Sequence, residues 1–598
     1  MTAPSHAMIH HVFHHCASLL RWIRGESQLG QRRLWGGFSR HEIAQLEAEA
    51  RDPHAFTGAR LDALWNLASW SYCHERYADA LSYLDQVTAL GHADERRFLL
   101  LRAQCLLRTR ASVAALEQIA NALLSRKADL DLLLLRFSAL RIASLAAQSA
   151  ETSAADQLAA LNRVFALHHL AELRLSDAQQ PVLLDNLASP AKPSPALTAN
   201  ATVSVLVPVF NAAKTLPTAL QSLLAQTHTA LEIIVADDGS SDASLEIARE
   251  FAARDRRIRV LPQPGNTGAY ATRNRALAAA TGEFVTTHDA DDWSHPEKIA
   301  RQLARLRAHP RAVACISQWV RVTDELEIIG AWRPRKNTLL DLNDSSLLVR
   351  REVFATVGGW DTVRVSADTE FRERLVARFG RAAIVVEPCL LSFARVRPDS
   401  LTRSAATHVR TAAFGLRWHY VDSYRHWHRQ RRGTLSLPDA NGSHRPRPFP
   451  APRANLPATD APPVRFSLVV IADFTAQNAS ADWTVLLERF AVLRERIAVY
   501  HWRKYPADPH QPLGDAFYAA LSLNAFQLLT PGDHVETEVT VVLDPVLLRY
   551  PPDSLPSIVT AELVAIGEST SPVQLFDRET TPVSLEVALR QLATVLVR

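Results

Sequence analysis

Three carboxylates follow a short apolar stretch within the segment GEFVTTHDADDW, residues 282–293. The stretch has the composition of a β-strand, and alternate residues of an extended chain face the same way. Asp289 and Asp291 could therefore share one divalent cation while Asp292 points elsewhere. Mg²⁺ or Mn²⁺ held by one or two carboxylates keeps coordination positions for phosphate oxygens. Taken alone, the same residues also suit an acidic turn in which Asp292 caps a helix over 294–307.

Three further polar clusters precede this one, each near the end of a predicted strand. They are PVFN (208–211), DDGSSD (237–242) and NTG (266–268). A carboxylate such as Asp237 can accept a hydrogen bond from a base N–H or a ribose hydroxyl, and Arg273 on the following helix can pair with a diphosphate. DDGSSD is also a good turn, and Arg273 could be a surface charge. The four clusters in this order favour a nucleotide site.

The elements that must position these clusters alternate between strands and helices. Apolar runs predict strands over 203–207, 231–236, 258–261 and 283–287, and helical periodicity predicts helices over 216–226, 241–254 and 272–280. Repeated βαβ units predict a mostly parallel mixed sheet, with ligands at the carboxyl ends of its strands. The four polar clusters all fall at that edge.

Five segments in this order resemble an inverting family 2 glycosyltransferase, over about 203–404. They are VSVLVPVFN, IIVADDGSSD, NTGAYATRNRAL, GEFVTTHDADDWSHPEKIARQ and VGGWDTVRVSADTEFRERL. The resemblance implies a type A glycosyltransferase (GT-A) fold. It also implies transfer of a sugar from a nucleotide-diphosphate sugar, first of all a UDP-sugar, to a glycan or lipid-linked hydroxyl acceptor. The chemistry asks for the same parts, because the departing diphosphate needs its charge neutralised and the incoming hydroxyl needs a carboxylate base.

Carried over by position, the resemblance implies a role for each motif residue. The nucleotide-sugar contacts that it implies are Val205, Pro208, Phe210, Asn211, Asp237, Asp238, Arg273 and Asp289. A divalent metal, Mn²⁺ or Mg²⁺, would be bound by Asp291 and Asp289, with Asp291 the more direct ligand. Arg397 and Ser400, in ARVRPDSLT, resemble the family's late segment that reaches back over the diphosphate.

Asp368 falls where the resemblance places the catalytic base, ahead of the acceptor helix. It could also serve as a helix N-cap. Ala367 stands where the family often has Glu, and Glu370 is a nearby substitute. Trp360 and Asp361, in a GGWD turn, are expected to touch the acceptor.

Composition bounds the class of protein. The chain has 598 residues, enough for several domains, and its 47% hydrophobic and 21% charged residues are ordinary for a globular protein. A net charge of +4 gives no case for nucleic-acid binding. The five cysteines lie far apart without metal-ligand spacing, which fits buried thiols in a reducing compartment. No apolar run approaches the ~20 residues of a spanning helix, so we expect a cytoplasmic protein, with peripheral contact at the inner face of the membrane left open.

Changes in composition along the chain predict a multidomain fold. The segments are a basic N-terminal segment (1–38), a helical, tetratricopeptide-like hairpin array (39–187), a linker (188–200), the GT-A catalytic domain (201–410), a basic aromatic helical extension (411–438), a proline-rich linker (439–464) and a smaller, Rossmann-like α/β domain (465–598). The last segment resembles half of a type B glycosyltransferase. Its predicted strands are 466–472, 498–501, 540–543 and 559–566, and its predicted helix is 483–496.

Several assignments stay open on the residues alone. The helical array could dock protein partners or self-associate, or it could be a packing platform for the next domain. The two basic segments could contact an anionic membrane or a lipid-linked acceptor, or they could pack on the protein. For the whole chain, the prediction is a metal-dependent transferase of bacterial surface polysaccharide or glycoconjugate assembly. The alternatives are a scaffold with an inactive transferase domain, and a nucleotidyltransferase, which would need a glycine-rich loop where PVFNAAKT has no glycine.

Overall fold

The computed structural model describes residues 18–20, 25–126, 128–147, 153–189, 201–330, 338–397, 400, 407–431, 433–437, 447–457, 464–477, 496–566, 573–574 and 583–584. The helices labelled here are α1 (Glu26–Trp35), α2 (Ser39–Arg51), α3 (Thr57–Cys73), α4 (Tyr77–Ala89), α5 (Arg96–Arg108), α6 (Ser112–Ser125), α7 (Leu130–Ala147), α8 (Ala154–Ala166), α9 (Leu216–Leu224), α10 (Ser244–Arg254), α11 (Ala269–Ala279), α12 (Lys298–Arg307), α13 (Glu352–Val357), α14 (Ala367–Phe379), α15 (Leu416–Gln430) and α16 (Asp515–Ser522). The strands are β1 (Arg174–Leu175), β2 (Leu187–Ala188), β3 (Val203–Val209), β4 (Leu231–Asp237), β5 (Ile258–Leu261), β6 (Phe284–Thr287), β7 (Trp293–Ser294), β8 (Ala314–Val322), β9 (Ile328–Ile329), β10 (Asp341–Leu342), β11 (Leu348–Arg350), β12 (Ile384–Arg395), β13 (Val464–Ala472), β14 (Ile497–His501), β15 (Gln527–Leu529), β16 (His534–Val542), β17 (Ser557–Ala565), β18 (Val573–Gln574) and β19 (Val583–Ser584).

Helices α1–α8 form the N-terminal region, and each packs against the next along the chain. Trp65 and Tyr72 of α3 share a buried cluster with Ala80 and Leu84 of α4. Large residues of one helix thus lie against small ones of the next, as a helical hairpin requires. The predicted helical region is confirmed, and its tetratricopeptide character stays a prediction.

The later half of this region shares one apolar core with the sheet that follows it. Leu135 and Phe165 of the helices lie in the same buried cluster as Trp293, Val320 and Phe393 of the strands. The ring of Phe165 is edge-on to that of Phe393, with centroids 6.2 Å apart. Without the helices this strand face would be exposed to water, so the helices act as a packing platform for the sheet. A docking role for their outer face stays a prediction.

The central sheet is mixed and runs in the order β5-β4-β3-β6-β11-β8-β12-β7, with β9 and β10 paired to β8. Neighbours β5, β4, β3 and β6 are parallel, as are β8 and β12. Strands β11, β7, β9 and β10 run antiparallel to their partners. The four predicted strands are therefore confirmed and form the parallel half. The sheet as a whole is mixed rather than mostly parallel, because the crossovers through α9, α10 and α11 join only these four strands and the one other parallel pair among the described strands of this sheet is β8 with β12.

Helix α15 lies between the central sheet's domain and the C-terminal sheet. On one side the Tyr420 hydroxyl donates to the Asp361 carboxylate at 2.8 Å. On the other, Asp422 accepts the backbone N–H of Leu513 at 3.0 Å. Much of the helix is buried, including Tyr424 at 0% exposure. The basic aromatic stretch thus packs on the protein over its described residues, which is one of the two interpretations left open.

The C-terminal sheet runs in the order β15-β14-β13-β16-β17, all parallel, with β18 and β19 antiparallel to β17. Its four predicted strands are confirmed, and β15, β18 and β19 are strands that the sequence analysis did not predict. The predicted helix over 483–496 lies almost wholly outside the described residues. The likeness to half of a type B glycosyltransferase stays a prediction.

The segments expected at domain boundaries are partly described. Helix α1 buries Leu34 and Trp35, and Arg32 pairs with Asp508 of the C-terminal domain at 2.6 Å, so this part of the basic segment packs on the protein. Residues 190–200 lie outside the described chain. Part of the predicted proline-rich linker packs inside, since the Phe449 ring lies 5.1 Å from that of Trp427. Among the described helices, none combines the length and apolar character needed to cross a bilayer.

Candidate active site

The carboxyl ends of β3, β4 and β6 meet at one edge of the central sheet. Val209 of β3 is in register with Asp237 of β4, and Leu206 of β3 with Thr287 of β6. The polar residues that follow these strands are therefore neighbours in space. Phe210 is 47% exposed at this edge. The other two predicted pocket residues on β3 differ, with Pro208 half-buried and Val205 fully buried in the sheet.

Asp237 offers one free acceptor atom. It is 2% exposed, and its Oδ2 accepts the backbone N–H of Ser240 at 3.1 Å. Its Oδ1 is buried and has no hydrogen-bond partner in the described part of the structure. The left-handed Asn211, with φ 47°, holds the same loop because its Oδ1 accepts the Ser241 backbone N–H at 2.8 Å. Asn211 therefore shapes the loop, while Asp237 keeps one buried acceptor oxygen without a partner among the described residues.

Asp238 turns its carboxylate toward the protein. It accepts the backbone N–H groups of Thr267 and Gly268 at 2.8 and 2.9 Å, which fixes the loop that opens α11. Gly239 next to it has φ +73°, and a Cβ there would lie 2.8 Å from the backbone of Gly265. Only glycine fits this close approach of two loops. The predicted nucleotide contact of Asp238 stays a prediction beside this positioning role.

Arg273 projects from α11 into the same edge and is 4% exposed, so it is not a surface charge. Its Nη2 donates to Asp289 Oδ1 at 2.5 Å. Its Nε and Nη1 are buried and make no hydrogen bond within the described residues. Burial opposes its charge, but the nearby carboxylates of Asp289 and Asp368 outweigh burial and raise the pKa of the guanidinium. Arg273 thus keeps two N–H groups for an anion.

Asp289 and Asp291 lie close together on the loop after β6, called the acidic loop (288–292). Burial, followed by the charge of Asp289, raises the pKa of Asp291 to about 6. In the described part of the chain, no group of three or more His, Cys, Asp or Glu side chains forms a metal-binding cluster. Mg²⁺ and Mn²⁺ often bind through one or two carboxylates together with substrate phosphates, so this donor pair fits such an ion.

Asp292 does not begin a helix, and that expectation is wrong. Helix α12 starts at Lys298, with Glu297 at its N-cap position. Trp293–Ser294 is instead strand β7, which pairs with β12. Asp292 is buried and accepts the backbone N–H of Arg395 at 3.3 Å. Strand pairing therefore overrode the capping pattern, as tertiary contacts often override local preference.

Asp368 is the second residue of α14, and the N-cap position is Ser366, with φ 73°. Asp368 is half-buried, and its charge contributes to raising the pKa of both Tyr270 and Arg273, so it lies near both side chains. Glu370, the expected substitute, is fully buried and paired with a core arginine, so it does not share this space.

Asp344 is a second carboxylate close to Asp368. Its Oδ1 accepts Nε of Arg372 at 2.8 Å, and its Oδ2 accepts the hydroxyl of Thr369 at 3.1 Å. Burial raises the pKa of Asp344 to about 6, and the charge of Asp368 adds to the rise. The two carboxylates therefore lie near each other, and Asp344 is paired with Arg372.

The backbone of Trp360 and the carboxylate of Asp361 are both hydrogen-bonded to other residues of the protein. Trp360 is 7% exposed, and its backbone exchanges two hydrogen bonds with the Asn274 side chain at 2.7 and 2.8 Å. Asp361 accepts from Tyr420 and, at 2.5 Å, from Arg447. The roles of Trp360 and Asp361 in acceptor binding stay predictions.

The late segment reaches the acidic loop in part. Burial raises the pKa of Asp291, and the positive charge of Arg397 partly opposes this rise. Arg397 therefore lies near that carboxylate. The backbone N–H of Ser400 donates to the Arg397 carbonyl at 3.3 Å. Residues 398–399 lie outside the described chain, and the diphosphate role of Arg397 and Ser400 stays a prediction.

Sequence reasoning missed three cations around the site. Lys298 is buried and donates to Ser294 Oγ at 3.2 Å, and burial lowers its pKa to about 8. Arg417 of α15 donates to Ser366 Oγ at 2.9 Å, next to Asp368. Arg395 contacts the acidic loop from β12. Arg395 could have been found from the sequence because it stands at the end of a long apolar strand. No local pattern distinguishes Lys298 or Arg417.

Comparison with known proteins relates part of the central domain to a known family. Residues 204–358 match the family model described as glycosyl transferase family 2. The chain is 42% identical over 113 residues to the putative glycosyltransferase EpsH of Bacillus subtilis (strain 168), which covers 19% of this chain and 33% of that protein. It is 37% identical over 101 residues to the putative teichuronic acid biosynthesis glycosyltransferase TuaG of the same strain, covering 17% of this chain and 40% of that one. The chain thus spans less than half of either relative.

Among solved structures, the crystal structure of S. aureus TarS 1-349 in complex with UDP aligns with a TM-score of 0.27 and 23% identity. The alignment covers 33% of this chain and 61% of that one. The family match spans Asp237, Arg273 and the acidic loop, and it ends before Asp368.

Proposed function

On the premise that residues 204–358 are a family 2 glycosyltransferase domain, we propose that this protein transfers a sugar from a nucleotide-diphosphate sugar, first of all a UDP-sugar, to a hydroxyl acceptor with inversion. The observation that carries the proposal is the meeting of Asp237, Arg273 and the acidic loop at one sheet edge. Unpaired buried polar atoms cost about 1–3 kcal/mol each, and a nucleotide diphosphate would pair those of Asp237 and Arg273.

The donor side of the site follows from these atoms. Asp237 Oδ1 would accept an N–H of the base, and the exposed ring of Phe210 offers an apolar face beside it. Arg273 would donate its two free N–H groups to diphosphate oxygens while it keeps its bond to Asp289. An Arg suits this role because its planar fork matches the geometry of phosphate oxygens.

Asp291 and Asp289 would hold a Mn²⁺ or Mg²⁺ ion. When bound, that ion supplies positive charge that neutralises the departing diphosphate. The pair suits such an ion because a bound cation offsets the repulsion between two neighbouring carboxylates. After burial, that repulsion is also the second reason that the pKa of Asp291 is raised. Arg273 and Arg397 would add fixed positive charge on the same side.

Asp368 would act as the base. Its carboxylate accepts the proton of the acceptor hydroxyl as that oxygen bonds to the anomeric carbon and the bond to the diphosphate oxygen breaks. Displacement from the face opposite the leaving group inverts the anomeric configuration. Arg273 lies close to Asp368, so its positive charge would offset the negative charges of the base and the diphosphate.

The acceptor that we propose is a glycan or lipid-linked glycan of bacterial surface polysaccharide or glycoconjugate assembly. The printed name of TuaG refers to such a process for that protein. The setting proposed is the cytoplasm, with peripheral contact at the inner face of the membrane. The C-terminal sheet, joined to the transferase domain through α15, is proposed as a structural or acceptor-binding module.

The test is a thermal-shift screen of UDP-, GDP- and dTDP-sugars on the full chain, with and without Mn²⁺. We expect one nucleotide class to raise the melting temperature only with Mn²⁺, since a ligand at 100 times its Kd adds about 2.7 kcal/mol. Asp291→Asn should lose this shift. The control is Glu373→Gln on α14, which alters an ion pair with Arg425 of α15. This variant should keep the thermal shift. A chain that no nucleotide stabilises would contradict the proposal and favour the non-catalytic scaffold.

A further inference from the structure

Arg395, at the end of β12, holds the acidic loop through two bonds. Its Nε donates to the backbone carbonyl oxygen of Asp291 at 3.1 Å. Its own backbone N–H donates to Asp292 Oδ1 at 3.3 Å. The side chain is only 1% exposed, so these bonds are shielded from competing water. One residue thus fixes the backbone of a proposed metal ligand and the side chain of the residue that follows it.

The other face of the same guanidinium reaches two carboxylates from other parts of the chain. Nη2 pairs with Asp185, in the last turn before β2, and Nη1 pairs with Asp324, in the turn between β8 and β9. Each carboxylate has a second partner, since the Thr218 hydroxyl donates to Asp185 at 2.6 Å and Lys214 Nζ to Asp324 at 2.8 Å. The cluster therefore joins the helical region to the acidic loop.

Only an arginine satisfies this arrangement. Its planar fork presents donors to three separate acceptors at fixed angles, whereas a lysine ammonium is a single point on a flexible stem. The carboxylates are partly solvated, with Asp185 41% and Asp324 37% exposed, so they tolerate the loss of one partner better than the buried guanidinium would. The most buried group of the cluster is thus the guanidinium, which is also the group that contacts the loop.

We propose that Arg395 is a positioning residue that ties the acidic loop to the helical region, which makes Asp185 part of the support of the active site. The metal-binding consequence rests on the proposed function, while the rigidity of the loop does not. Residues that orient metal ligands typically change metal affinity by about 10–100-fold when they are replaced. The helical region would then serve the chemistry as well as the core.

The test uses Arg395→Lys and Asp185→Asn in the full chain. The control is Glu327→Gln, because Glu327 joins the same β8–β9 turn to Arg110 of the helical region and is not seen to contact the acidic loop. Two quantities are measured: amide hydrogen exchange of the peptide that covers the acidic loop, without ligand, and the Mn²⁺ concentration that half-saturates UDP binding.

We expect faster exchange of the acidic loop in both variants and unchanged exchange in the control. The half-saturating Mn²⁺ concentration should rise about 10–100-fold in Arg395→Lys, and binding should recover at excess Mn²⁺. Loop exchange equal to wild type in both variants would overturn the positioning role. Faster exchange in a protein whose wild type binds none of the nucleotides of the thermal-shift screen would keep the positioning role and contradict the proposed function instead.

Discussion

Arg273 and Asp289 form an ion pair of unequal exposure, with Nη2 2.5 Å from Oδ1 and with side chains 5% and 30% exposed. The pair joins α11, which is fixed by Asp238, to the acidic loop. Its guanidinium is anchored on one edge and unpaired on the other, because Nε and Nη1 have no partner among the described residues. A diphosphate could therefore bind without breaking the pair.

Replacing Arg273 by Lys should weaken UDP binding in the presence of Mn²⁺ by about 10–100-fold, because charge-assisted hydrogen bonds are worth about 1.5–3 kcal/mol and a lysine cannot serve Asp289 and a phosphate together. Isothermal titration calorimetry measures the affinity. Arg259→Lys is the control, since Arg259 is exposed and donates to the Ala279 carbonyl at 3.4 Å, away from the acidic loop. Equal affinity in both variants would argue against a diphosphate at Arg273.

Asp368→Asn should abolish sugar transfer while it leaves donor binding within about threefold, because only the base is removed and its isosteric amide cannot take a proton. Transfer is measured as release of the nucleoside diphosphate in the presence of acceptor, and binding by the thermal shift. Glu373→Gln on the same helix is the matched control. Normal turnover in Asp368→Asn would assign the base elsewhere.

Phe165→Ala should lower the free energy of unfolding by about 3–5 kcal/mol, the usual cost of removing a buried phenyl ring. Phe165 is 1% exposed in the core shared by helices and sheet. Leu124→Ala, at a side chain 76% exposed, should change it by less than about 0.5 kcal/mol. Urea unfolding measures both.

Removal of residues 1–190 should likewise leave an insoluble chain, and a folded, nucleotide-binding remainder would refute the platform role.

His295 predicts a pH dependence of stability. Burial lowers its pKa to about 4, and both ring nitrogens are used in the neutral form, by the Ala171 carbonyl at 3.0 Å and the Glu297 backbone N–H at 3.2 Å. A depressed histidine pKa means that its stabilisation is present above the unfolded pKa of about 6.5 and is lost as pH falls toward 4.

The stability of wild type relative to His295→Gln should therefore fall by about 2 kcal/mol between pH 7.5 and pH 5. His309→Gln, at an exposed ring on the turn after α12, is the control and should show no such change. Urea unfolding at the two pH values measures both differences. A constant difference for His295→Gln would contradict its neutral, buried state.

Local patterns predicted the half of the site that lies on consecutive βαβ units. Asp237, Arg273 and the acidic loop follow strands whose apolar runs are unambiguous, and the carboxyl ends of parallel strands must meet at one edge. The same local reasoning failed at Asp292, because the pairing of β7 with β12 joins residues about a hundred positions apart. No window of sequence contains that contact.

The sequence by itself determined the alternation of strands and helices over 203–287, the chemical types at those strand ends and the resemblance of this stretch to a known family, because periodicity and motif spacing are local properties. Only the tertiary structure decided what surrounds them. It buried Phe165 against the sheet, and it brought Asp185 and Arg395, 210 positions apart, together behind the acidic loop. Such contacts depend on how separate elements pack, and the free energy of packing is shared among residues that no local pattern connects.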